Sequence, residues 1–164
     1  MEIRHYQESD WPQMWAMMQP VFAAGETYAY PQNITEQELR HLWLELAQAT
    51  YVACNEQGEV IGTYYLKANQ IGLGAHVANS GYVVAEKARG QGVANALCQH
   101  SQQMALAAGF KAMQYNFVVS TNKIAVGIWQ KNGFKIAGVL DRAFKLRNET
   151  YVDIYVMYKW LAND

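Results

Sequence analysis

The stretch Gly81-Tyr82-Val83-Val84-Ala85-Glu86-Lys87-Ala88-Arg89-Gly90-Gln91-Gly92-Val93-Ala94 decides how this chain folds. Tyr82, Val83 and Val84 have the aromatic and β-branched character of a strand, whereas Val93, Leu97, Met104 and Ala108 lay an apolar stripe along a helix. Arg89-Gly90-Gln91-Gly92 turns one into the other. A strand that feeds straight into a helix presents backbone N–H groups without intrahelical partners, and the positive end of the helix dipole faces outward. The glycines let a large anion approach the main chain, and Arg89 adds charge, which specifies a diphosphate rather than a small carboxylate. A plain tight connection would use the same glycines. The stretch is no Walker loop, which needs Gly-Lys-Ser or Gly-Lys-Thr, and no dinucleotide fingerprint, which needs three spaced glycines early in a βαβ chain.

Working outward, the helix runs to Ala108 with Gly109 as its cap, and a strand over 113–119 completes a βαβ unit. Asn122 caps a short helix whose Ala125, Ile128 and Trp129 face inward; Asn132-Gly133 closes it before a strand over 134–139. A last strand spans 151–158. Upstream, 51–54 and 60–66 flank the turn Asn55-Glu56-Gln57-Gly58 as a hairpin. Thr35 and Glu38 form a capping box for an amphipathic helix ending near Ala49. A strand at 3–6 precedes a helix that starts at Ser9-Asp10-Trp11-Pro12, with a capping residue ahead of Pro12 in the first turn, and that Gly25 ends. Gly25-Glu26-Thr27-Tyr28-Ala29-Tyr30-Pro31 is an acidic, aromatic loop, since Pro31 disfavours helix at Tyr30. The expected order is strand, two helices, three strands, helix, strand, helix, two strands, a mixed α/β class.

With 164 residues, 51% hydrophobic and 16% charged, the composition fits one soluble domain over 1–164 that buries roughly 70% of its unfolded surface. Thirteen Lys plus Arg against fourteen Asp plus Glu leave a net charge of −1, so no overall field draws nucleic acid or a membrane surface. Cys54 and Cys98 are too few for a disulfide scaffold and lack a zinc motif, so no metal is expected. With no apolar leader at the start, this reads as a cytoplasmic protein, either alone or as a homodimer.

Arg89, Gly92 and Ala94 fill the pattern Gln/Arg-x-x-Gly-x-Gly/Ala, and the chain thereby resembles motif A of the GNAT superfamily of N-acetyltransferases. Val84 to Arg89 is similar to that family's Val-x-Pro-x-x-Arg approach, with Glu86 where Pro is usual. Asn122-Lys123-Ile124-Ala125-Val126-Gly127-Ile128-Trp129-Gln130-Lys131-Asn132-Gly133-Phe134 resembles its Asn-x-x-Ala-x-x-Leu-Tyr-x-x-x-Gly-Phe segment, with Trp129 for the usual Tyr. Residues 151–161 resemble its closing strand. The resemblance implies a mixed, mostly antiparallel sheet flanked by about four helices, in which two parallel strands splay apart to admit the pantetheine arm of acetyl-CoA.

It further implies that Tyr82, Val83 and Val84 hold the acetyl and pantetheine groups through their main chain. Arg89, Gly90, Gln91, Gly92, Val93 and Ala94 would hold the diphosphate, with Asn122 and Trp129 beside the arm. Indole N–H cannot ionise in water, so Trp129 supplies no acid, and the thiolate leaves by taking a proton from water. For the base, Glu26 and Glu86 are the candidates, with His76 behind them; each also suits a solvated surface role. Glu26, Tyr28 and Tyr30 are expected to line the site of a small amine, with Asn116 reading a carboxylate or amide of the acceptor. Neither cysteine carries an activation signal, which favours direct attack in a ternary complex. A protein or peptide N-acetyltransferase and a non-catalytic acyl-CoA sensor are the competing readings.

Overall fold

The computed structural model describes residues 1–163. Along the chain run β1 (Glu2–His5), α1 (Trp11–Ala24), α2 (Glu36–Arg40), β2 (Ala49–Cys54), β3 (Val60–Ala68), β4 (Val77–Val84), α3 (Val93–Ala107), β5 (Ala112–Val119), α4 (Lys123–Lys131), β6 (Lys135–Lys145) and β7 (Tyr151–Trp160). The seven strands form one sheet in the order β1-β2-β3-β4-β5-β7-β6. Every neighbouring pair is antiparallel except β4 and β5. This is the expected mixed α/β fold, element for element.

Alternation along the central strands builds a core on each face. Tyr51, Ala53 and Tyr64 turn toward α3 and α4, while Val52, Cys54 and Tyr65 turn toward α1 and α2. On the second face Met14, Met18, Phe22, Leu39 and Trp43 are fully or almost fully buried. Each such side chain contributes about 1.5–3 kcal/mol when taken from water. Trp43 also donates its indole N–H to Thr63 Oγ1 at 3.3 Å, so its one polar atom is not stranded.

Several local expectations need correction. Asp10 does not cap α1; its carboxylate accepts two bonds from Arg4 and one from the Gln7 N–H, all at 2.8 Å, tying β1 to the helix start. The second helix stops short of Ala49, because Ala49 must pair with Leu66; it ends through a wide π turn over His41–Glu45. The buried stripe of α3 is Val93, Leu97, Cys98, Ser101 and Ala105. Met104 is only half-buried and Ala108 is exposed, lying past the helix end. That stripe packs closely: a Cβ added at Gly62 of β3 would stand 3.0 Å from Val93 and from Leu97. In α4 the buried residues are Val126 and Trp129, with Ala125 and Ile128 at the margin. Strand β6 runs on to Lys145 rather than stopping at Val139.

Candidate active site

β4 and β5 pair only at Val77 with Ala112 and Ala78 with Met113. Beyond them no backbone pair among the described residues joins the two strands, and side chains cross instead: Asn79 Nδ2 donates to the Gln114 carbonyl at 3.0 Å, and the Tyr82 and Tyr115 hydroxyls bond each other at 2.8 Å. The two strands part there, and the β4 edge over 79–84 faces a cleft. An open strand edge exposes alternate N–H and C=O groups, which must find partners. At Tyr82 the partner is a side chain: the Tyr82 N–H donates to the Tyr28 hydroxyl at 2.8 Å, and that hydroxyl donates to the Tyr82 carbonyl at 2.9 Å. Burial pushes the Tyr28 phenol well above its ordinary range, so it stays protonated.

Past Val84 a single 3₁₀ turn, Glu86–Ala88, leads to the glycines. Gly90 (φ 77°) and Gly92 (φ 81°) adopt left-handed backbone that disfavours a side chain, and a Cβ built on either would meet no atom within 4 Å. Gly92 precedes α3, and no side chain caps that helix. Arg89 and Gln91 are exposed beside it, whereas Val93 is anchored in the core. The chain thus holds open, at a helix start, a cradle of the kind an anion fills.

On the floor of the cleft Trp129 packs its ring 4.8 Å from that of Tyr82 and 5.1 Å from that of Tyr115. The Tyr82 hydroxyl is bonded to Ser101 Oγ at 2.7 Å and to the Tyr115 hydroxyl at 2.8 Å, so both phenols are committed to the α3 face. Asn122 accepts from the Ala125 N–H at 3.2 Å and is the cap of α4. Cys54 and Cys98 are free and buried, and burial raises both thiols above their usual value.

A cavity of about 360 Å³ lies between the loop after α1 and the β6–β7 hairpin. Tyr28, Tyr30, Phe117 and Phe144 give it aromatic walls, and Lys145, Arg147 and Glu149 give it charge. Lys145 is paired with Glu149. Arg147 enters none of the ion pairs among the described residues. Tyr28 belongs both to this wall and to the β4 edge, so the cavity and the cleft meet at its ring.

The expected acceptor residues are therefore divided. Tyr28 and Tyr30 stand in the wall, but Glu26 is exposed and is not part of it. Asn116 is also outside the wall; its amide is spent on Asn69 Oδ1 at 2.6 Å and on the Gln114 side chain at 2.9 Å. Glu86 is exposed and lies four residues past Tyr82, on the side of the glycine turn rather than of the cavity. His76 sits at the far end of β4, its Nδ1 3.1 Å from the Leu73 carbonyl, some 20 Å along an extended strand from Tyr82. Lys145 and Arg147 were not anticipated from the sequence; the alternation of apolar and cationic residues in Phe144-Lys145-Leu146-Arg147 is the one signal that could have found them.

One parallel pair splayed above the start of a helix, within a seven-stranded sheet of this order, defines the architecture of an acetyltransferase. Residues 11–134 match the model of the acetyltransferase (GNAT) family, and the chain belongs to that family as an N-acetyltransferase. It is similar to the N-acetyltransferase aca1 of Schizosaccharomyces pombe, at 32% identity over 98 residues, 59% of this chain. That match spans only 47% of the yeast protein, about half its length. It is 29% identical over 161 residues to the L-amino acid N-acetyltransferase AaaT of Escherichia coli, covering 94% of each. A solved GCN5-related N-acetyltransferase from Kribbella flavida superposes with a TM-score of 0.92 at 38% identity, covering 98% of this chain and 97% of that one. Among the described residues no helix is long and apolar enough to cross a membrane.

Proposed function

We propose that this chain, as one domain, transfers the acetyl group of acetyl-CoA to the primary or secondary amine of a small, anionic molecule, an amino acid or a close analogue. The observation that carries the reading is the junction at Tyr28, where an aromatic cavity bearing Arg147, in no ion pair among the described residues, opens on the free edge of β4. The glycine turn from Arg89 to Ala94 takes the diphosphate, since its open backbone and exposed arginine suit that anion. Alternate groups of the β4 edge, Tyr82 and then Val84, take the polar atoms of the pantetheine arm, as a neighbouring strand would. Asn122 and Trp129 border the arm. The amine attacks the thioester carbonyl directly, because both thiols are buried and un-ionised and no acetyl-enzyme forms on them. The thiolate leaves and takes its proton from water. Glu26 and Glu86, both exposed outside the cavity wall, act as bases through water.

Arg147 matches a carboxylate or other anionic group on the acceptor. The name of the E. coli relative, an L-amino acid N-acetyltransferase, agrees with that class. An open pocket of about 360 Å³, walled on one side by a hairpin, has room for a compact acceptor. The test is thiol release from acetyl-CoA with a panel of amino acids, their amides, plain amines and N-terminal peptides. Turnover with amino acids above that with their amides supports the reading. Turnover with peptides alone makes the enzyme a peptide acetyltransferase, and binding without thiol release from any amine makes it a sensor.

A further inference from the structure

We infer that the Tyr28 hydroxyl donates a hydrogen bond to the thioester carbonyl oxygen of acetyl-CoA, forming with the Tyr82 N–H a two-armed site for the oxyanion. The inference rests on the function proposed above, in which the β4 edge receives the thioester. The phenol oxygen already occupies the position that an acyl oxygen bound to the Tyr82 N–H would take, 2.8 Å from that nitrogen. A carbonyl oxygen arriving at the same N–H displaces it by about one hydrogen-bond length, roughly 2.7 Å. The hydroxyl hydrogen, now donated to the Tyr82 carbonyl at 2.9 Å, is then free to turn onto the incoming oxygen.

The ring has little room to retreat beyond that shift. Phe22 stands edge-on at 5.0 Å, Tyr30 stacks at 5.5 Å and Trp43 lies at 6.1 Å between ring centroids. Gly81 keeps the approach clear, because a Cβ there would sit 3.0 Å from the Tyr28 oxygen and 2.8 Å from the Tyr65 ring. Burial keeps the phenol protonated and available as a donor. Other hydroxyls near Tyr82 are committed: those of Tyr82 and Tyr115 bond each other across the cleft floor, and Trp129 brings none.

The step balances without further reagents. The amine nitrogen forms a bond to the acetyl carbon, and the carbonyl π pair moves to oxygen, where the Tyr82 N–H and Tyr28 O–H stabilise it. When the carbonyl re-forms, the C–S bond breaks and its pair leaves with sulfur. The nitrogen loses a proton to solvent and the thiolate gains one from it, while Tyr28 keeps its own proton throughout. A donor that strengthens its bond as negative charge develops lowers the barrier rather than merely binding the ground state.

The experiment compares the full chain with Tyr28→Phe and with 3-fluorotyrosine at position 28, which keeps the size and makes the phenol a stronger donor. Measured are kcat with the best amino acid of the panel, Kd for acetyl-CoA and CoA, and the carbonyl stretch of bound ¹³C-acetyl-CoA. Expected for Tyr28→Phe are a fall in kcat of roughly 10²–10³ and a return of the stretch toward higher frequency. The fluorinated protein should shift the stretch the other way, and it retains the packing if the phenylalanine variant folds poorly. A kcat within threefold of the parent, or a carbonyl frequency unmoved by either change, overturns the inference and leaves the proposed function standing. If the unaltered chain acetylates no amine of the panel, the proposed function fails, and this inference with it.

Discussion

Gly92→Ala separates the cost of folding from the cost of binding at the glycine turn. At φ 81° the backbone is left-handed, and an alanine there is strained by about 1–2 kcal/mol. For a chain of 164 residues that corresponds to a fall in melting temperature of roughly 2–8 °C. Sterically the protein itself loses nothing, since the added carbon meets no atom within 4 Å. The space it enters is the space assigned to the diphosphate, so at least one charge-assisted bond from the turn should be lost. Such a bond contributes about 1.5–3 kcal/mol, or roughly ten- to hundredfold in affinity. Calorimetric titration with CoA and acetyl-CoA reads the second effect and thermal unfolding the first. Gly58→Ala is the matched control: it has φ 79° and equally open space but lies in the β2–β3 turn. It should lower the melting temperature as much and leave the affinity unchanged. If Gly92→Ala binds CoA as tightly as the Gly58 control, the turn does not hold the diphosphate.

Arg147→Ala should raise KM for an amino-acid acceptor about tenfold and leave KM for its amide and Kd for acetyl-CoA unchanged, which steady-state assays with both acceptors resolve. Glu26→Gln, outside the cavity wall, should lower kcat less than Arg147→Ala lowers kcat/KM; a larger loss across the pH range would make Glu26 the base. Replacing Cys54 and Cys98 together by alanine should preserve turnover, and intact-mass analysis of the parent with acetyl-CoA alone should show no added acetyl group. Burial, with His5 nearby, depresses the pKa of His100, whose Nδ1 is hydrogen-bonded to the Tyr64 hydroxyl at 2.7 Å. The unfolded chain therefore takes up this proton first. Stability should be full above about pH 6.5 and fall as pH drops toward the depressed folded value, and His100→Gln should flatten that slope in melting curves.

Local chemistry was legible in the residues. Gly25 ends α1 in a left-handed cap at φ 65°, and the Thr35–Glu38 box forms as written, with the Thr35 N–H donating to Glu38 at 2.8 Å. The glycines at 90 and 92 mark the strand-to-helix turn. What depends on partners distant in sequence was not legible. Tyr28 and Tyr82 are 54 positions apart, and nothing in either neighbourhood says that a phenol would take the place of a strand. Asp10 has the form of a helix cap, but Arg4 on the adjacent strand claims its carboxylate. Beyond Val139 the alternation breaks because β6 is irregular against β7 between Leu140 and Phe144. There Arg142 turns to φ 48°, and its N–H is held by Asp153 at 2.9 Å. That irregularity hid the second half of the strand, and with it the cationic wall of the cavity.

The splay also divides the chain's connectivity. Everything up to Gly109 builds one lip of the cleft, with β1–β4, the glycine turn and Tyr28, whereas everything after it builds the other, with α4, Arg147 and the outer strands. The polypeptide crosses between them once, at an exposed turn. A chain cut at that turn would leave the glycine turn, the β4 edge and Tyr28 on one fragment and Asn122 and Trp129 on the other, so recovery of full acetyl-CoA affinity on mixing them would measure their reassembly directly.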